Sequence, residues 1–341
     1  MTRRTRIFAA VAVAIAVFGG YAAYWFYVAA ELDRGIDNWA EQQRQAGLTI
    51  AFERTSVTGF PFAFRAAFRQ PHIAGAVAGQ AFDWQGPDVE ASVSPLNLYA
   101  MTLRSPGHHR VDLGVGTGML DASSLEARLR FGGDGLLSSV VLAFAGAKLT
   151  LPDQKTLAAG AGTAALTLPT APPKSDSDPL LQFALSAKDL RLPEGTMLLT
   201  ADPLSDVQLA GTVKGPIPIA PLREAVAAWR DAGGTVDLSS FAVAQATLSL
   251  SGSATVALDT TLQPIVAANL NARGLGPTID LLESQRRIYP ADALKMKLFV
   301  KGAERDAPGG AKEVATGLTL QGGYLSWGPF KLAQVPPIQW P

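Results

Sequence analysis

From Leu48 to the C-terminus, apolar and polar residues alternate with a period of two over most of the chain. That pattern predicts strands with one face turned away from water. Leu48, Ile50 and Phe52 open it, and Val89, Ala91 and Val93 continue it. In "GFPFAFRAAFRQP" (59–71) a Gly-Phe-Pro turn signal is followed by Phe62, Phe64, Ala66 and Phe68 on one side. Ala63, Arg65, Ala67 and Arg69 take the other. The clearest hairpin is "SLEARLRFGGDGLLSSVVLAF". Leu125, Ala127, Leu129 and Phe131 alternate into Gly132-Gly133-Asp134-Gly135, and Val140, Leu142 and Phe144 return; a glycine-rich connection suits the positive φ angles of tight hairpins.

Departures from this period mark helices. Residues 31–46 carry Leu32, Ile36 and Trp39 at spacings of four and three, which predicts a helix ending at Gly47. "APLREAVAAWRDAGG" predicts a helix near 221–232, with Pro221 in the first turn, Leu222, Val226 and Trp229 on one face and Gly233-Gly234 as the stop. "GPTIDLLESQRRIYP" predicts another near 277–288. "ALKMKLFVKG" after it reads as a strand, as does "EVATGLTLQGGYLSWGPFKLAQVPPIQWP" with its Gly-Gly and Gly-Pro turns. "PTAPPKSDSDP" (169–179) has nothing to bury and reads as a linker or loop between two β-rich halves, 48–168 and 180–341. "GAKLTLPDQ" (146–154) and "SAKDLRLPEG" (186–195) echo each other, with "TAALTLPT" (163–170) as a weaker third. The echo fits stacked strand-turn units as well as chance in a Leu/Ala/Thr-rich chain.

The N-terminus follows neither period. After a basic tail (1–6) with Arg3, Arg4 and Arg6, residues 7–30 contain no charge. As a helix they would extend about 36 Å, enough for a ~30 Å hydrocarbon core. The arginines before it, with Glu31 and Asp33 after it, place the N-terminus in the cytoplasm and the bulk outside. Tyr24, Trp25 and Tyr27 in "YAAYWFY" (21–27) suit an aromatic belt at the outer headgroups. Val28-Ala29-Ala30 also offers a signal-peptide cleavage site, but the apolar run exceeds the ~7–15 residues of a signal core, which favours an uncleaved anchor. Either way the same domain is exported.

Composition narrows the function classes. Beyond the anchor, 26 Lys and Arg face 29 Asp and Glu. This slightly acidic balance speaks against nucleic acid as a partner, which needs clustered positive charge. The chain has no cysteine, which removes disulfides, zinc ribbons and thiol chemistry. A bacterial periplasm is the compartment most economically implied. Apolar content of 48% with 33 Gly and 23 Pro argues for a folded, turn-rich protein.

Catalytic patterns are sparse. His108 and His109 in "SPGHHR" read as a solvated loop, and His72 stands apart, so no metal shell is implied. No Gly-x-Ser-x-Gly elbow occurs. "GVGTG" (114–118) lacks a βαβ context and a Gly-Lys-Ser/Thr ending. Asp176 and Asp178 form an isolated Asp-x-Asp. A carboxylate pair for glycan chemistry is not marked in the sequence. What remains is Phe62, Phe64 and Phe68, which fit two readings: the core of a sandwich, or the lining of an apolar concave face.

The anchor, the "GFP" strand at 59–61, "FDWQGPDVEASVSPLNL" (82–98) and "YLSWGPFKLAQVPP" (324–337) together resemble the envelope family catalogued as domain of unknown function 2125, found mainly in alphaproteobacteria. Its plan is similar to that of AsmA-like proteins, which are anchored in the inner membrane and project a long curved antiparallel sheet with a lipid-carrying groove. The chain is much shorter than members that bridge the periplasm. The resemblance implies lipid handling and carries no catalytic residues. The expectation is a mainly β protein: an N-terminal transmembrane helix (7–30), a juxtamembrane helix (31–47), then a long curved antiparallel sheet with a few short helices. It would be an inner-membrane, single-pass periplasmic protein without enzymatic activity or cofactor. Its partners would be membrane lipids and other envelope proteins, with Phe62, Phe64 and Phe68 as lipid-binding candidates. The alternatives are an envelope assembly scaffold or a glycan-acting enzyme.

Overall fold

The computed structural model describes residues 3–77, 80–114, 116–193, 202–306, 312–327 and 330–340. One helix, α1 (Arg3–Gln45), joins the predicted anchor and juxtamembrane segment without a break. A meander follows: β1 (Thr49–Arg54), β2 (Phe64–Val77), β3 (Gln80–Gln85), β4 (Val89–Ser94), β5 (Asn97–Arg104), β6 (Gly107–Asp112), β7 (Thr117–Ala122), β8 (Ser124–Phe131) and β9 (Leu137–Thr150). Then come β10 (Thr156–Thr167), β11 (Pro179–Leu190), β12 (Leu204–Lys214), α2 (Leu222–Asp231), β13 (Thr235–Gln245), β14 (Leu248–Leu258) and β15 (Pro264–Arg273). The chain ends with α3 (Leu275–Ser284), α4 (Pro290–Ala303), β16 (Glu304–Asp306), β17 (Lys312–Gln321), β18 (Tyr324–Trp327) and β19 (Phe330–Gln334).

Among the described residues all 19 strands belong to one sheet, and every pairing in it is antiparallel. The pairings trace a closed ring through β2, β3, β6, β7, β9, β8, β5 and β4, the connectivity by which a barrel closes. The ladder edges show how this ring is laid out. Phe68 and Ile73 of β2 both give one edge to β1, and offer the other to β4 and β3 respectively. Ala145 and Thr150 of β9 both give one edge to β10, and the other to β8 and β7. A strand has only two edges, so β3 and β4 lie end to end in one column, as do β5 with β6 and β7 with β8. They are long strands interrupted by irregularities. One lies at Gly146, whose φ of 56° suits glycine, opposite Ser123. Among the described residues β1 pairs only with β2 and β19 only with β18.

Residues 169–178 are a loop joining neighbours and Pro179 already opens β11, because β10 and β11 pair directly and the sheet runs through without a break. The helices near 221–232 and 277–288 are α2 and α3, the latter ending earlier at Ser284. The segment "ALKMKLFVKG" is not a strand but part of α4. Its Leu/Lys alternation is real, yet Ala293 and Val300, seven apart, are the positions that bury, beside half-buried Met296. Pro290 in the first turn also suits a helix start.

Two buried clusters sit at opposite ends of the sheet. At the first, Trp25 and Ala29 of α1 close over Phe64, with Tyr21, Leu32, Val57 and Val93 around them. Farther along α1, Asp33 and Asp37 pair with Arg54. Burial opposes the charge of Arg54, but hydrogen bonds to the two carboxylates outweigh it and hold its pKa above the ordinary value. At the other end Ile279, Ala293 and Val300 of α3 and α4 close over Val314 and Trp327. α2 braces strand ends instead: Trp229 Nε1 donates to Lys214 O at 2.7 Å, and the Arg230 guanidinium to Thr260 O at 2.9 Å.

Candidate functional site

Residues directly opposite each other in an antiparallel pair put their side chains on the same face. Following the registers from Phe64 gives Val93, Met101, Leu129, Val140, Leu166, Phe183, Gly211, Leu238, Ala254, Ala268, Leu318 and Trp327. The row crosses thirteen strands, one residue from each, without a polar side chain. At ~4.8 Å per strand step it is roughly 58 Å long measured along the sheet. A second row runs parallel through Leu125, Phe144, Gly162, Ala187, Val207, Val243, Leu250, Ala272 and Val314. The opposite face reads Ala67, Glu90, Arg104, Glu126, Ala143, Thr163, Ser186, Gln208, Ala242, Ser251, Asn271 and Ala315. The sheet is therefore apolar on one side and small or polar on the other.

The apolar side is covered only at its ends. Phe64 (2% exposed) stacks on Trp25 with ring centroids 5.1 Å apart, and Trp327 (5% exposed) meets Phe299 edge-on at 5.3 Å. Between them, no apolar side chain larger than alanine is buried on β5–β14 among the described residues. Leu166 and Leu185 are 42% and 40% exposed. Leaving a Leu or Phe half in water forgoes about 1 kcal/mol. The neighbours of Leu166 in the row, Leu129, Val140 and Phe183, are only partly buried. A surface of this kind marks an interaction site more often than a free surface.

Three phenylalanines on this face stand opposite glycines: Phe144 with Gly162, Phe183 with Gly211 and Phe241 with Gly252. A Cβ at Gly162 would lie 2.4 Å from Phe144 Cζ, and one at Gly211 3.0 Å from Phe183 Cζ. These two rings thus lie down over the neighbouring strand, where any side chain would lift them. The polar face carries cross-strand ion pairs between Arg104 and Glu126 and between Lys214 and Asp237. Hydrogen bonds from Arg104, then Arg128, keep the Glu126 carboxyl below its ordinary range. Lys214 and then Thr255 do the same for Asp237.

The three predicted phenylalanines do not share one open surface. Strand β2 begins at Phe64, so Phe62 lies in the preceding turn and is 86% exposed. Phe64 is sealed beneath α1, and Phe68 packs edge-on against Phe52 at 5.1 Å. All three sit where α1 meets the sheet; the uncovered surface lies several strands away, around Leu166, Phe183 and Leu185. No local pattern singles those residues out; the register of β10 with β11 brings them together. Of the membrane-anchor residues, Tyr24 donates to Pro95 O at 3.1 Å, Trp25 is buried and Tyr27 is exposed. The backbones of Arg3, Arg4 and Arg6 belong to α1, and their side chains lie outside the description.

The histidine pair is a strand and not a loop. Its neighbours point to opposite faces: His108 is exposed beside Asp121, while His109 is buried, stacked near Trp84 and bonded through Nε2 to Ser105 O at 2.9 Å. Asp178 caps its own loop by accepting from the backbone N–H groups of Lys174 and Ser175, which lowers its pKa. Among the described residues no three His, Asp or Glu side chains gather as a metal shell would require. In "GVGTG" residue 115, and in the second echo phrase residues 194–195, lie outside the described residues.

A bacterial family profile, described as an uncharacterized protein conserved in bacteria (DUF2125), matches residues 25–336. The chain belongs to this family. The match begins at Trp25, the residue that seals Phe64, and extends through β19. It thus takes in the whole DUF2125 sheet and both covered ends. Comparison with curated proteins and with solved structures gives no match.

Proposed function

We propose that this DUF2125 protein is held in a bacterial inner membrane by α1, with its N-terminus cytoplasmic and its sheet periplasmic. There it carries lipid, or another apolar envelope component, on the uncovered face of the sheet, without catalysing a reaction. The observation that carries this reading is the apolar row from Phe64 to Trp327, covered by helices at both ends, with Leu166 and Leu185 exposed between. α1 is long and apolar enough to cross a membrane. At roughly 58 Å, the row is about four times the ~15 Å thickness of one hydrocarbon leaflet, so acyl chains can lie along it. A ligand of this kind would recover the burial that the protein itself leaves unrealised.

The test compares adjacent residues on opposite faces. Photoactivatable residues at Leu166 and Leu185 should crosslink co-purifying lipid in the full chain, and those at Ala165 and Ala184 should not. Mass spectrometry of the purified chain should find the same lipid. Absence of lipid with equal crosslinking from both faces overturns the proposal. A stoichiometric protein partner in place of lipid would support the scaffold reading instead.

A further inference from the structure

The span of α1 and the contacts it makes fix how deep the sheet sits. Counted from Ile7, about 20 helical residues are needed for a ~30 Å hydrocarbon core, which puts its outer boundary near Phe26. Two turns of the β-domain are tied to α1 below that level. In the first (59–63), Phe60 meets Phe18 at 6.0 Å and stacks on Phe26 at 5.5 Å, while Pro61 O accepts from Tyr21 Oη. In the second (94–99), Pro95 O accepts from Tyr24 Oη at 3.1 Å. Phe18 is about 12 Å and Tyr24 about 3 Å inside the boundary. Raising both turns into water would leave only about 18 Å of uncharged helix between Ile7 and Phe18, too little to span.

The turns are built for such a place. Neither "GFPFA" nor "SPLNLY" has a charged residue. Phe62 and Leu96 at their tips are 86% and 90% exposed, and both line an open, mainly apolar cavity with Phe18 and Tyr21. Four backbone N–H groups are satisfied within the turns: Phe62 and Ala63 donate to Gly59 O, Leu96 to Ser94 Oγ and Tyr99 to Asn97 Oδ1. Gly59 reaches this geometry with a φ of 102°. Irregular backbone at membrane depth requires that satisfaction.

We infer that Phe62 and Leu96 form a ledge immersed in the outer leaflet, which seats one end of the sheet directly on the lipid surface. This rests on the anchoring role proposed for α1 and is independent of lipid on the sheet face.

The chain has no cysteine, so single-cysteine variants carry a spin label at one position only. The full chain is reconstituted in phosphatidylethanolamine/phosphatidylglycerol vesicles with labels at Phe62→Cys, Leu96→Cys, Ile15→Cys and Leu113→Cys. Leu113 is 51% exposed and stands at the far end of the β5–β6 column, roughly 50 Å from Leu96. Labels at 15, 62 and 96 should be more accessible to oxygen than to a nickel chelate, and the label at 113 the reverse. If 15 reads lipid while 62 or 96 reads water, the ledge is overturned and the anchor stands. If 15 itself reads water, the anchoring reading fails, and the ledge with it.

Discussion

The apolar row has a different character at its ends and in its middle. At Phe64 and Trp327 an aromatic side chain lies under a helix and is buried; at Leu166 and Phe183 comparable side chains of the same row have no helix above them. Residue type does not separate the two regions, since Phe stands both at the covered position 64 and at 183, and Leu both beside Trp327 at 318 and at 166. What separates them is where the chain supplies a second layer: α1 before the sheet begins, α3 and α4 before it ends. Covered ends anchor the fold, while the bare middle keeps an apolar surface available.

The strongest way to break this contrast is to truncate both regions. Trp327→Ala and Phe64→Ala should each cost about 3–5 kcal/mol in chemical denaturation, as large-to-small changes in a filled core do. A loss no greater than that in the middle of the row would mean the ends are not the core. Gly162→Ala should cost about 1–3 kcal/mol, because the new Cβ meets Phe144 and the backbone of Ser186 at once. A neutral result would show that the ring does not lie over the glycine. Leu185→Ser, in the bare middle, should cost at most about 1 kcal/mol yet lower the yield of co-purified lipid. Full stability with unchanged lipid would remove the middle from the site.

The smallest effect belongs to the polar face and should leave the contrast untouched. Glu126 titrates below its ordinary 4.5 in the folded protein because of Arg104 and Arg128. A carboxyl with a lowered folded pKa stabilises fully above its unfolded pKa, and that stabilisation is lost as pH falls through the folded value. With both arginines exposed it is worth about 0.5 kcal/mol. The stability gap between the parent and Glu126→Gln should therefore close as pH is lowered from about 6 to about 3. A gap that widens would reverse the assigned role of the pair.

Much of the fold was legible in local pattern. Period two located β1, β2, β4, β8 and β9 and the C-terminal strands, and Pro221, Gly233 and Gly234 bracketed α2. α4 looks like a strand in the sequence because Leu294, Met296 and Leu298 alternate with Lys295 and Lys297, while its buried contacts follow the helical spacing of Ala293 and Val300. The candidate site was legible only as a composition. Phe62, Phe64 and Phe68 drew attention as the densest aromatic alternation, and that density serves the junction with α1.

By itself the sequence determined which residues turn apolar side chains to one side of a strand, where one long apolar helix precedes the strands, and that thiol chemistry is absent. Alternation, length and composition are local properties, readable without knowing any partner. The tertiary structure decided that Phe64 and Trp327 end one continuous row and that the middle of that row stays bare. Both depend on the registers of thirteen strands and on where three helices come to rest. A strand one face of which is buried and one that carries an apolar ligand have the same alternation, and only the presence or absence of a covering layer distinguishes them.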